Sequence, residues 1–249
     1  MAAGLSLVAG GKQRAADRSP NGPTALLRSA EAWSIPGGLG QRFALPASAR
    51  PTLSELFAVH PRDGGTIGFL LAQLERDKPL LWVQERMAIL EAGRIYPPGL
   101  SFPDIIHVEA RDAKAALWAM EEGLRCAALS AVIGELWGDP RALDFTATRR
   151  LAVAAEKNGV SAWLVRFGAT PNLSGARMRW RIASGPSLAN MLDPRAPGMA
   201  AWDAELFRAR GFAPGRWAVA HDWEANSLHL VAAAGDRAVA ADARAQLSA

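Results

Sequence analysis

The chain of 249 residues has a single cysteine, Cys126, so no intrachain disulfide can form and no thiolate cluster can hold a metal. The apolar neighbours of Cys126 read as core packing. Histidine is also scarce. His60, His107, His221 and His229 are scattered without metal-ligand spacing, and no metal is expected. Long apolar runs are missing as well. Nothing approaches the roughly 20 residues that span a bilayer, and the first apolar stretch, residues 4–10, has no basic region before it. These absences argue against a membrane protein, a disulfide scaffold and a zinc enzyme, and they place the chain in the cytoplasm.

What is present is the balance of a globular protein, with 50% hydrophobic and 21% charged residues, in a length that suits one sizeable α/β core with a tail. The net charge of +4 hides a segmental pattern. Residues 1–50 hold six bases and two acids, 51–165 twelve and fifteen, 166–216 eight and three, and 217–249 two and four. Basic character in the head and in one later block suits an acidic partner, either nucleic acid or an acidic protein face.

Residues 1–50 carry Gly10-Gly11, Pro20-Asn21-Gly22-Pro23 and Pro36-Gly37-Gly38 with little apolar sequence, and read as a flexible basic segment with at most one short helix. Residues 51–235 read as the folded domain and 236–249 as a tail. Apolar runs at 53–59, 79–85, 104–110, 130–135 and 161–167 predict strands, and the periodic stretches between them predict helices, which is the pattern of a mostly parallel sheet covered on both faces. Asp112 is the expected cap of one helix, on which Glu121 and Arg125 would pair. Asp139-Pro140 is the expected start of another, ended by Asn158-Gly159. After a connection containing Pro186, Pro194 and Pro197, residues 217–221 and 227–232 predict an antiparallel hairpin.

The first strand runs into a glycine-containing turn and a helix, where phosphate-loop proteins hold their nucleotide. A working loop supplies a lysine for the β- and γ-phosphates and a hydroxyl for Mg²⁺. Here the turn reads His60-Pro61-Arg62-Asp63-Gly64-Gly65-Thr66, one residue short, with Gly65 in the lysine position and an acid at Asp63. The strand at 130–135 ends in Glu135, one position later than the Mg²⁺-organising acid, and alternation turns that side chain to the other face. Arg62 could replace the lysine and Glu85 could activate water. Alternatively, Glu85 and Glu135 are ordinary polar residues at strand ends. The expected nucleotide site is degenerate, with no cofactor.

The run Arg177-Met178-Arg179-Trp180-Arg181-Ile182 alternates, so three arginines share one face and the apolar residues the other. Such a row suits phosphates or carboxylates, and equally a solvated sheet edge. Arg208, Arg210 and Arg216 add charge nearby.

The segments AKAALWAMEEG (113–123), LSAVIGELWG (129–138), ALDFTATRRL (142–151), MRWRI (178–182), LDPRAPG (192–198) and GRW (215–217) resemble the ImuA proteins, over about residues 53–232. The resemblance implies a RecA-like core with a degenerate phosphate loop, more distantly similar to the SulA division inhibitors. It implies an accessory role in error-prone translesion synthesis within the SOS response. The partners implied are RecA and an ImuB-type inactive polymerase, with an error-prone replicative-type polymerase reached indirectly, at the nucleoid. In RecA-like folds the loop corresponding to residues 168–175 faces DNA, but here it has no Lys or Arg, so at most weak DNA binding is expected. Three functions remain open on the sequence: a non-enzymatic adaptor, a divergent ATPase using Arg62 and Glu85, and a SulA-like inhibitor of cell division.

Overall fold

The computed structural model describes residues 39–42, 46, 48, 50–100, 102, 104–190, 192–193, 195–223 and 226–231. In chain order the elements are β1 (Leu39–Arg42), β2 (Leu53–Ala58), α1 (Gly65–Leu71), β3 (Leu80–Glu85), α2 (Arg86–Ala92), β4 (Ile105–Ala110), α3 (Ala113–Gly123) and β5 (Ala131–Trp137). There follow α4 (Phe145–Asn158), β6 (Ser161–Phe167), β7 (Met178–Gly185), β8 (Ala201–Ala209), β9 (Gly215–Asp222) and β10 (Ser227–Val231). The fold is α/β, a mostly parallel sheet with helices on both faces and antiparallel C-terminal strands, consistent with a RecA-like architecture. Most of the expected flexible head and the tail 236–249 lie outside the described residues. Residues 39–42, expected within the head, form a strand.

The chain divides into two units. The first takes in Pro46–Ala183 and Leu206–Pro214. Its parallel strands lie in the order β7, β2, β6, β5, β3, β4. β2, β3 and β6 are buried along their whole length, which explains their continuous apolar sequence: helices cover both faces. One face carries Leu53, Leu81, Val83, Val132, Leu136, Ala162 and Leu164 against Ala116, Leu117 and Met120 of α3 and Ala147, Leu151 and Ala155 of α4. On the other, Phe69 of α1 meets Trp180 of β7, their ring centroids 5.7 Å apart.

Helix ends follow local chemistry. Asp112 caps α3 by accepting from the Ala115 N–H at 2.8 Å, as expected. The cap of α4 is not Asp139 but Asp144, which accepts from the Ala147 N–H at 2.7 Å. Asp139 is drawn away to Arg166 and Thr170, and Leu143 is buried in the preceding turn. Gly159, at φ 69°, ends α4 in the left-handed conformation that glycine adopts without strain. Glu121 pairs with Arg150 of α4, and Arg125 with Glu122. Cys126, expected in the core, is exposed because it lies in the surface turn after α3, its N–H bonded to the Gly123 carbonyl.

The second unit includes residues 39–42, Ser184–Glu205 and the chain from Gly215. β9 and β10 form the expected hairpin, with Leu228 opposite His221 and Leu230 opposite Val219, and β1 adds antiparallel to β10. Leu188, Ala201 and Ala220 make its small core. β8 was not anticipated. Trp202, Ala204 and Leu206 are buried along it in period-2 alternation.

Removing the cap with Asp144→Ala should lower stability by about 1 kcal/mol, with Asp144→Asn close to the parent. The urea midpoint measures both.

Candidate functional site

The turn between β2 and α1 uses its amides on itself. The Asp63 carboxylate accepts from the Gly65 N–H at 2.9 Å, the Thr66 N–H bonds to the Asp63 carbonyl and the Ile67 N–H to the Gly64 carbonyl. The Asp63 N–H bonds in turn to the His60 carbonyl. His60 and Pro61 are exposed, while Thr66 is buried and its hydroxyl has no hydrogen-bond partner within the described residues. An anionic side chain therefore sits at the opening of α1, where a phosphate loop would leave N–H groups for its ligand.

Arg62 is drawn to α2. It donates from Nε to the Glu91 carbonyl at 3.0 Å and from Nη2 to the Glu91 carboxylate, and its guanidinium lies 6.0 Å from the Trp137 ring centroid. Glu85 accepts from the Trp137 N–H at 3.0 Å. Arg62 and Glu85 are thus brought to the same strand end, each committed to a neighbour.

Glu135 lies in a different setting. Register places it beside Gln84, on the face opposite Glu85. It accepts from Trp82 Nε1 at 2.5 Å and from Gln84 Nε2 at 3.0 Å. Gln84 Oε1 accepts from the Ile95 N–H at 3.2 Å, so His107 Nε2, at 3.0 Å from the same oxygen, must be the donor there. Burial pushes the Glu135 carboxyl up to about 7, against the hydrogen bonds from Gln84 and Trp82 that pull it down. Burial also lowers the His107 pKa, with the Arg94 charge in the same direction and Glu109 opposing. Glu85 and Glu135 are both buried and hydrogen-bonded within the sheet.

The expected row of presented arginines resolves into three environments. Arg177, Arg179 and Arg181 do share a face, because β7 runs in register with β2 and pairs Arg179 with Glu55 and Arg181 with Phe57. Arg179, however, is only 3% exposed and donates from Nε to Glu55 at 2.6 Å. Glu55 is fully buried and also faces Arg166, likewise fully buried, at 3.9 Å, an ion pair longer than a hydrogen bond. Arg166 reaches on to Asp139 at 2.6 Å and to the Gly138 carbonyl at 3.1 Å. Both guanidiniums lie over the Phe57 ring, at 5.4 and 5.2 Å. Burial lowers the Arg166 pKa, and Arg179 acts the same way, while Glu55 and Asp139 resist.

Arg181 is half-buried, 4.3 Å over the Phe207 ring, and Arg177 holds Glu156 of α4 at 2.6 Å. Arg208 and Arg210 are exposed, and Arg216 forms a bidentate pair with Asp203, Nε lying 2.7 Å from Oδ1. The loop 168–175 is fastened at both ends. The Thr170 hydroxyl donates to Asp139 at 2.8 Å and the Gly175 N–H to Thr148 Oγ1 at 2.9 Å. A Cβ on Gly175 would come within 2.6 Å of the Arg149 Cα, so only glycine fits there. The buried network around Glu55 went unread in the sequence. Its signal was an acid inside LSELFA and a base inside SAWLVRF, since a charge in a fully covered strand needs a partner.

Two outcomes test this geometry. Glu55→Ala leaves two buried guanidiniums without their shared anion and should cost about 3–5 kcal/mol, whereas Arg177→Ala should cost under about 1 kcal/mol, read from denaturant midpoints. The second outcome concerns pH. Glu135 holds its proton more tightly folded than unfolded, so its contribution is fully present below about pH 4.5 and is lost as pH rises to about 7. His107 contributes with the opposite sign, gaining as pH rises toward 6.5. The difference between parent and Glu135→Gln stability should therefore change by up to about 3 kcal/mol across pH 4.5–7. A flat difference would place the carboxyl in its ordinary range.

Among the described residues no helix is long and apolar enough to cross a membrane. No protein-family model matches the chain. Protein ImuA from each of two strains of Caulobacter vibrioides is 33% identical to it over 177 residues, covering 65% of this chain and 69% of theirs. Identity at that level, over that share of both chains, together with an α/β fold of RecA-like character, has one reading: the chain belongs to the ImuA family.

Proposed function

We propose that this chain is a non-enzymatic accessory protein of damage-inducible, error-prone translesion synthesis, acting in the cytoplasm at the nucleoid by binding protein partners. The observation that carries the non-enzymatic part is the turn before α1. A triphosphate needs free N–H groups and a cation there, yet Asp63 accepts from the Gly65 N–H and Arg62 is bound by Glu91. Family membership supports the role in mutagenesis. The partners proposed are RecA and an ImuB-type inactive polymerase, through which the error-prone replicative-type polymerase is engaged.

Buried charge bears on how partners are bound. Arg179 and Arg166 are consumed by Glu55 and Asp139, so the β7 face is not an open row for phosphates. The loop 168–175 has neither basic nor aromatic side chains to hold a strand of DNA. Both points favour a protein partner over direct DNA binding.

Purified protein should turn over no ATP above background, with or without single-stranded DNA, and immobilised protein should retain RecA and the ImuB-type protein from damaged cells. Turnover that disappears in Arg62→Ala or Glu85→Gln would establish an ATPase instead. Retention of the division tubulin homologue in place of both partners would establish a SulA-like role.

A further inference from the structure

α4 turns one side to the sheet and another to solvent, and the solvent side has an unusual composition. Arg149 and Arg150 stand three and four residues after Thr146, Val153 four and three residues after them, and Lys157 four after Val153, so they form a single stripe. The stripe and the end of α3, at Glu121 and Arg125, line a groove of about 740 Å³. Four cations meet one carboxylate there. Glu121 is held by Arg150 at 3.2 Å, and Arg125 is engaged by Glu122, just outside the groove. Arg149 and Lys157 have no ion-pair or hydrogen-bond partner among the described residues. Between them Val153 is 48% exposed, an apolar side chain at the centre of a basic surface.

We propose that this α3–α4 groove is the docking site for a short acidic segment of a partner protein, with carboxylates over Arg149 and Lys157 and an apolar side chain on Val153. The stripe from 146 to 157 extends about 17 Å, the length of a helical segment of about 11 residues or an extended one of about five. Charge complementarity selects an acidic occupant. A nucleic acid fits less well, because among the described residues no aromatic side chain lines the groove to stack a base, and Glu121 would oppose phosphates. The chain's own ends are poor candidates. Residues 1–50 are basic, and residues 232–249 carry Asp236 and Asp242 against Arg237 and Arg244, with no net charge.

The proposal rests on the adaptor reading for the existence of a protein partner, and its test separates the two. The probe is a fluorescein-labelled helical peptide of about 12 residues with glutamates flanking leucines at helical spacing, beside a control peptide with glutamine for every glutamate. A single-stranded and a duplex oligonucleotide complete the set. Anisotropy should show that the full chain binds the acidic peptide in a salt-sensitive manner, and not the control. The double variant Arg149→Glu with Lys157→Glu should bind about tenfold more weakly or worse, while Lys114→Glu, on α3 outside the groove, binds as the parent does. In the cell-extract experiment the same double variant should lose a partner that the parent retains. Circular dichroism and melting should match the parent, because both side chains project from the helix surface.

Three results would overturn the groove. One is equal binding of peptide and partner by parent and double variant, or no peptide binding by either. Another is oligonucleotide binding that the double variant abolishes while the peptide is ignored. The third is loss of self-association in the double variant, measured by sedimentation, without change in peptide binding. The adaptor reading fails differently, by ATP turnover that depends on Arg62 or by a parent chain that retains no partner.

Discussion

A carboxylate with no exposed surface, Glu55, sits on β2 of the parallel sheet and is shared by two arginines that are themselves buried. Desolvating an ion costs several kcal/mol, and that cost is offset only when opposite charges and hydrogen bonds are placed with precision. Glu55 can be shared only if β2 is flanked by β6 on one side and β7 on the other, in the register that sets Glu55 beside Leu164 and Arg179. Slipping either strand by one residue would turn its arginine to the opposite face. The ion network thus fixes register in a set of strands whose apolar sequence alone would tolerate several alignments.

The same network reaches the loops. Arg166 draws Asp139 inward, Asp139 accepts from the backbone and hydroxyl of Thr170, and the far end of that loop is tied to α4 through Gly175 and Thr148. The start of α4 consequently falls to Asp144, five residues later than Asp139. A surface that a RecA-like fold would direct toward DNA is here fastened at two points and carries no cation. On the strand ends nearby, Arg62 and Glu85 are turned to Glu91 and Trp137 rather than to a ligand. In both places, polar groups that a nucleotide or nucleic acid would need are engaged within the chain, the Thr66 hydroxyl excepted.

Much of the architecture was legible because its physics is local. β2, β3 and β6 are apolar throughout since both faces are covered, α3 begins at an aspartate three residues before its bonded amide, and Gly159 marks the end of α4. β8 is equally legible in its alternation of Trp202, Ala204 and Leu206 with Asp203 and Glu205, but the prolines before it carry the local signal of a loop. The arginine run shows where local reasoning ends. Periodicity correctly placed Arg177, Arg179 and Arg181 on one side, and said nothing of what covers that side. Arg179 is buried because of an acid 124 positions away, and no spacing within β7 carries that information. Cys126 erred for the related reason that apolar neighbours in sequence need not be neighbours in space.

Net charge by segment misleads in the same manner. Residues 166–216 are the most basic block of the chain, yet Arg179 is spent on the buried Glu55, Arg166 on the exposed Asp139, Arg177 on Glu156 and Arg216 on Asp203. The segment 51–165 is acidic in sum, and still it holds α4, where Arg149 and Lys157 stand on an exposed side without partners among the described residues. What an approaching molecule experiences is the field at the surface and not the formal count, because charge paired inside the fold is cancelled at short range before solvent is reached. The excess that can act on an approaching partner is therefore the excess left over after folding. In the first unit α4 presents two such cations, Arg149 and Lys157.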